Sequence, residues 1–146
     1  MYACFNLAYA VLAAYYGLRR GGIFERLNIP ASSVLITTVG APKVGDARFV
    51  SLIEGLGLAG LYRLVNGNDI VPRSPVNSKY VQFLGEVYID PFYKTTPVLC
   101  SEQPVLQQSG SCFHRFEPLQ LILAGVSSIS NSHLIYMGQR INCRYG

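Results

Sequence analysis

The sequence predicts an α/β layered sheet, and three observations carry that expectation. Val34-Leu35-Ile36-Thr37-Thr38-Val39 is an unbroken apolar and β-branched run, entered from Ser32-Ser33 and broken by Gly40-Ala41-Pro42. Leu61-Tyr62-Arg63-Leu64-Val65 repeats the strand pattern further on, and the intervening segment from Asp46 to Glu54 places Phe49, Val50 and Ile53 on one helical face. Such alternation of strand and helix is the mark of a parallel sheet with helices packed on it. In open parallel sheets, ligands and catalytic groups gather outside the carboxyl ends of the strands. Gly40 and Asp69 both fall just past such ends.

The elements follow in order. Met1 to Leu18 is almost wholly apolar, and Leu7, Ala10, Val11, Ala14 and Leu18 recur at helical spacing, which predicts a buried helix. The alternative is a targeting or anchor segment. A signal peptide, however, carries Lys or Arg ahead of its apolar run, whereas Arg19 and Arg20 come after this one. The run is also at the short limit for crossing a bilayer. Gly21-Gly22 ends the helix. Val34–Val39, apolar on both faces, reads as an interior strand. Asp46 is placed as the N-cap of the next helix, and the glycine-rich stretch from Gly55 to Gly60 leads into the second strand. Val81 to Ile89 predicts a third strand, ended by Asp90-Pro91. Pro91 to Cys112 reads as an irregular insertion. Phe116 to Val126 predicts a helix carrying Leu119, Leu121, Ile122 and Leu123, with Pro118 in its first turn. A polar loop from Ser127 to Ser132 then delivers His133 onto Leu134-Ile135-Tyr136-Met137. With no repeat and no linker, residues 1–146 read as a single domain.

Composition narrows the partners. Half of the 146 residues are hydrophobic and mean hydropathy is +0.27, so the chain is apolar for a soluble domain. The net charge of +4 comes from scattered residues, with only Arg19 and Arg20 adjacent. That distribution lacks the basic stripe of a nucleic-acid binder, while weak attraction to an anionic lipid surface stays open. The cysteines at 4, 100, 112 and 143 form no C-x-x-C pair, and His114 and His133 lie at no zinc-binding spacing, so no metal or cofactor is expected. Cys100 and Cys112 bracket a run rich in Ser, Gln, Pro and Gly. They are either a disulfide, which implies a secreted or endomembrane-lumen location, or two thiols.

The chemistry-bearing residues are Asp69, within Asn66-Gly67-Asn68-Asp69-Ile70-Val71-Pro72-Arg73, and His133. Alone, Asp69 is an ordinary turn residue and His133 an ordinary surface or cap histidine. Together they stand in the order acid then base that α/β-hydrolases use after their serine. Gly40-Ala41-Pro42-Lys43-Val44-Gly45-Asp46 resembles the G-x-P-[RK]-V-G-[ND] turn of the class 3 (fungal-type) triacylglycerol lipases. Arg63 to Pro72 resembles that family's R-x-x-N-x-x-D-x-V-P block. Tyr80 with Gly85-Glu86 and Ser132-His133-Leu134-Ile135-Tyr136 resemble its later motifs.

The resemblance implies a partial α/β-hydrolase sheet with flanking helices, lacking the N-terminal strands and the nucleophile elbow. It implies Asp69 as triad acid, His133 as triad base, Gly40-Ala41-Pro42 as a structural loop, a lipid or ester substrate, and work at a membrane or lipid–water interface. The chain also departs from the family. It contains no Gly-x-Ser-x-Gly, and the elbow serine would fall near Asn6, within Cys4-Phe5-Asn6-Leu7-Ala8. Cys4 lacks flanking glycines at the elbow spacing. The family's second histidine is absent from Tyr80-Val81-Gln82-Phe83, and the 64-residue interval from Asp69 to His133 is long. Three readings follow: a truncated or degenerate lipase without its nucleophile, a non-catalytic lipid or acyl-chain binding module, and a membrane-anchored domain.

Overall fold

The computed structural model describes residues 6–67, 69–75, 79–90, 96–100, 133, 135–137 and 139–140. The expected helix at Phe116–Val126 and the loop at Ser127–Ser132 lie outside those residues. Helix α1 spans Asn6–Leu18 and a single turn, α2, spans Ile23–Arg26. Strand β1 (Leu35–Val39), helix α3 (Ala47–Glu54), strand β2 (Gly60–Asn66) and strand β3 (Glu86–Ile89) follow, then β4 (Val98–Leu99) and the ribbon β5 (Ile135–Tyr136) and β6 (Gln139–Arg140). Four strands form a mixed sheet in the order β1-β2-β3-β4. β2 runs parallel to both β1 and β3, while β4 returns antiparallel on β3 through Val87 opposite Leu99. β5 and β6 pair separately.

The helices lie on one side of this sheet. Val11 and Ala14 of α1, Ile36 of β1, Val50 and Ile53 of α3, and Phe83 make one buried cluster. α3 starts where the sequence places it: the Asp46 carboxylate accepts the Phe49 N–H at 2.9 Å, satisfying one of the helix's orphan donors. Gly45, just before that cap, is bridged to the third-strand segment by the Val81 N–H on its carbonyl at 3.0 Å.

Four expectations change. The N-terminal helix buries a single face. Val11 and Ala14 point inward while Ala10, Tyr9 and Tyr16 are exposed, because the helix has β1 and the core on one side only. No described helix is long and apolar enough to cross a membrane. β1, expected in the sheet interior, is its edge strand among the described residues, with Ile36 and Thr38 buried and Leu35 and Thr37 exposed. The third strand begins at Glu86 instead of Val81. Gly85 has φ +82° and a Cβ there would sit 2.2 Å from the Leu61 carbonyl oxygen, so the chain turns into the sheet at that glycine. Finally, the stretch read as an irregular insertion contributes β4. Cys100, at the end of β4, is disulfide-bonded, and its partner lies outside the described residues.

Candidate active site

β2 ends in a tight turn that presents Asp69. The Gly67 N–H donates to Ile89 O at 2.9 Å, and the Asp69 N–H turns back onto Asn66 O at 2.7 Å. The Asp69 carboxylate then folds over its own backbone, Oδ1 accepting the Val71 N–H at 2.9 Å, the habit of an acidic turn residue. Asp69 has no solvent exposure. A charge so placed must be met by donors. Oδ2 lies 2.9 Å from His133 Nδ1, and it also accepts the Tyr136 hydroxyl. With Asp69 ionised, Nδ1 carries the proton and donates, which leaves Nε2 as the nitrogen able to accept one.

The distal segment is pinned to this turn by backbone and side chain together. Asn66 Nδ2 donates to Ile135 O at 2.7 Å, so the last residue of β2 holds β5, which carries Tyr136. Gly40 closes the opposite side. Its N–H donates to Leu64 O at 2.9 Å, and its φ is +63°. A Cβ at Gly40 would stand 2.9 Å from the Tyr136 hydroxyl, 3.0 Å from Asp69 Oδ2 and 3.2 Å from His133 Cε1. The residue is glycine both for its backbone angle and because three site atoms fill the space a side chain needs.

Two further contacts brace the loops. Gln82 Nε2 donates to Ala41 O at 3.1 Å and to Pro72 O at 3.0 Å, tying the Gly-Ala-Pro loop to the turn after Asp69. Behind that turn, Glu86 receives Arg63 Nη2 at 2.9 Å and Arg73 Nη2 at 3.3 Å, while Arg63 Nε donates to Phe83 O at 2.7 Å. Arg63 and Glu86 are both buried. The bridge thus joins β2, β3 and the 3-10 turn Val71–Arg73.

The electrostatics follow from these contacts. The hydrogen bond to Asp69 raises the His133 pKa above its ordinary value, against the opposing effect of burial, and the Asp69 charge adds to the rise. Burial raises the Tyr136 pKa far above the ordinary phenol range, and the neighbouring carboxylate pushes it further, so Tyr136 stays a donor. Among the described residues no cluster of His, Cys, Asp and Glu could hold a metal ion.

The structure brings Asp69 and His133 together across 64 residues of sequence. Sequence reasoning quoted Asn66 and Tyr136 inside motifs but assigned them no part. The signal was present in their spacing: Asn66 stands three residues before Asp69, and Tyr136 three after His133. Gln82 occupies the segment where the family's second histidine is missing, and there it braces two loops.

The family model for class 3 lipases matches residues 8–79, which include Asp69 and stop short of His133. The triacylglyceride lipase of Rhizomucor miehei is similar in structure with a TM-score of 0.62 and 26% identity, covering 83% of this chain and 42% of that one. The Lip2 lipase of Yarrowia lipolytica matches over 38% of this chain and 23% of its own, at 33% identity and a TM-score of 0.36. This chain therefore spans less than half the length of either lipase. A search of curated proteins finds no match. The mixed sheet with flanking helices is the α/β-hydrolase arrangement of the Rhizomucor miehei lipase. The class 3 lipase family is what residues 8–79 of this chain are similar to.

Proposed function

We propose that this chain supplies the acid and the base of a lipid-ester hydrolase site, with Asp69 as acid and His133 as base. The observation that carries the reading is the 2.9 Å contact between His133 Nδ1 and the fully buried Asp69 carboxylate. In that role Asp69 fixes the imidazole tautomer and stabilises the imidazolium. Nε2 takes the proton of an attacking hydroxyl and returns it to the leaving alcohol. The lipase family and the lipase neighbours support a carboxylic ester of a lipid as substrate class.

We further infer that the nucleophile is a serine outside these 146 residues, since they contain no Gly-x-Ser-x-Gly. Such a serine needs that strained turn to stand exposed at the sheet's edge. The experiment is hydrolysis of p-nitrophenyl butyrate by the 146-residue chain and by a form extended at its N-terminus with a strand carrying Gly-His-Ser-x-Gly. The chain alone should show no turnover above His133→Ala, and the extended form should show turnover that His133→Ala abolishes. Activity of the unextended chain that His133→Ala removes would place the nucleophile within it. Activity of the extended form that survives His133→Ala would remove His133 as the base.

A further inference from the structure

Among the described residues Asp69 has three donors, and two of them share one oxygen. Oδ1 accepts the Val71 N–H, whereas Oδ2 takes both the His133 imidazole and the Tyr136 hydroxyl. Tyr136 is itself buried, on a strand held in place by Asn66, and its hydroxyl lies against the space Gly40 leaves open. A phenol at this point does more than fill volume. It occupies a lone-pair direction of Oδ2 and draws negative charge from the atom that faces the imidazole.

Resting on the reading of Asp69 and His133 as acid and base, we propose that Tyr136 is a positioning residue that moderates the Asp69 charge felt by His133. A carboxylate in a dry pocket with imidazole as its main donor would hold the imidazolium too tightly. The base would then take a proton readily and release it poorly, although the same group must do both within one turnover. The second donor weakens that hold. Because burial and the carboxylate keep the phenol protonated, the moderation persists across the neutral range. Of the elements around the cluster, the Gly40 loop brings its backbone close and carries Lys43, whose charge interacts with Arg73; β2 brings Asn66, and the turn after Asp69 brings Arg73. Arg73 and the Asn66 backbone both act on the Tyr136 hydroxyl in the direction opposite to Asp69.

The experiment follows the His133 imidazole by NMR pH titration in the 146-residue chain, with His133→Ala assigning its signals against His114. Tyr136→Phe should shift the His133 pKa upward, and Asp69→Asn should shift it downward. The sign separates the proposal from simple packing. If Tyr136 only held the pair together, its loss would loosen the Asp69 contact and lower the His133 pKa toward its ordinary value. A downward or absent shift in Tyr136→Phe therefore overturns the proposal while leaving the acid–base pair standing. An absent shift in Asp69→Asn strikes the pair itself. Should Tyr136→Phe fail to fold, 3-fluorotyrosine at position 136, a more acidic donor of nearly the same shape, must lower the His133 pKa. No change or a rise there overturns the proposal equally.

Discussion

At the scale of single residues, the site is a buried carboxylate compensated by a backbone N–H, a phenol and an imidazole. Each compensation depends on a neighbour staying small or staying put, which is why Gly40 and Asn66 matter although neither is placed to react. The His133–Asp69 bond also leaves a thermodynamic trace. Its folded-state pKa is raised above the ordinary 6.5, so the native chain holds this proton more firmly than the unfolded chain does. The resulting stabilisation is fully present below 6.5 and is lost as pH rises through the raised value. Urea titrations of wild type and His133→Ala should differ more at about pH 5.5 than at about pH 8.5. A difference that is flat or grows with pH contradicts the bond as drawn.

At the scale of elements, the Glu86 carboxylate decides how β2, β3 and the turn after Asp69 stay in register. Such a buried bridge is not in itself a large net stabiliser, because desolvation offsets most of the attraction. Removing one member is costly, since Arg63 would be left buried without its carboxylate. Glu86→Ala should therefore destabilise by about 3–5 kcal/mol. Asp46→Ala, which removes only an N-cap bond at the start of α3, should cost about 1 kcal/mol. Equilibrium unfolding in urea ranks the two, and a reversed order would mean that the bridge is not what holds these elements together.

At the scale of the whole molecule, the two faces of the sheet are unequal. On the face under α1 and α3, Ile36 packs in a closed cluster with Val50 and Ile53 of α3, while Leu35 on the opposite face is 61% exposed and Tyr62 is 38% exposed. Ile36→Ala should cost about 2–5 kcal/mol, the range for a buried aliphatic truncation. Leu35→Ser, one position away, should stay within about 0.5 kcal/mol of wild type. Thermal or urea unfolding checks both. A comparable loss at Leu35 would show that something covers that face in solution.

What the sequence by itself determined is local. The β-branched run at 34–39, the Asp46 cap, the glycine and proline breaks and the second strand follow from propensities acting over a few residues, and the observed elements agree with them. The pairing of Asp69 with His133 was also legible, because order and spacing within two short motifs survive in a linear reading. The tertiary structure alone decided which face of β1 is buried, since burial depends on where helices land and an apolar run does not say that. It alone decided that Val98–Leu99 joins the sheet and that the third strand waits for Gly85, since both depend on partners distant in sequence. It alone placed the Tyr136 hydroxyl on the oxygen that His133 uses. A hydrogen-bond acceptor shared by two donors is a property of three positions in space, and no spacing along a chain encodes it.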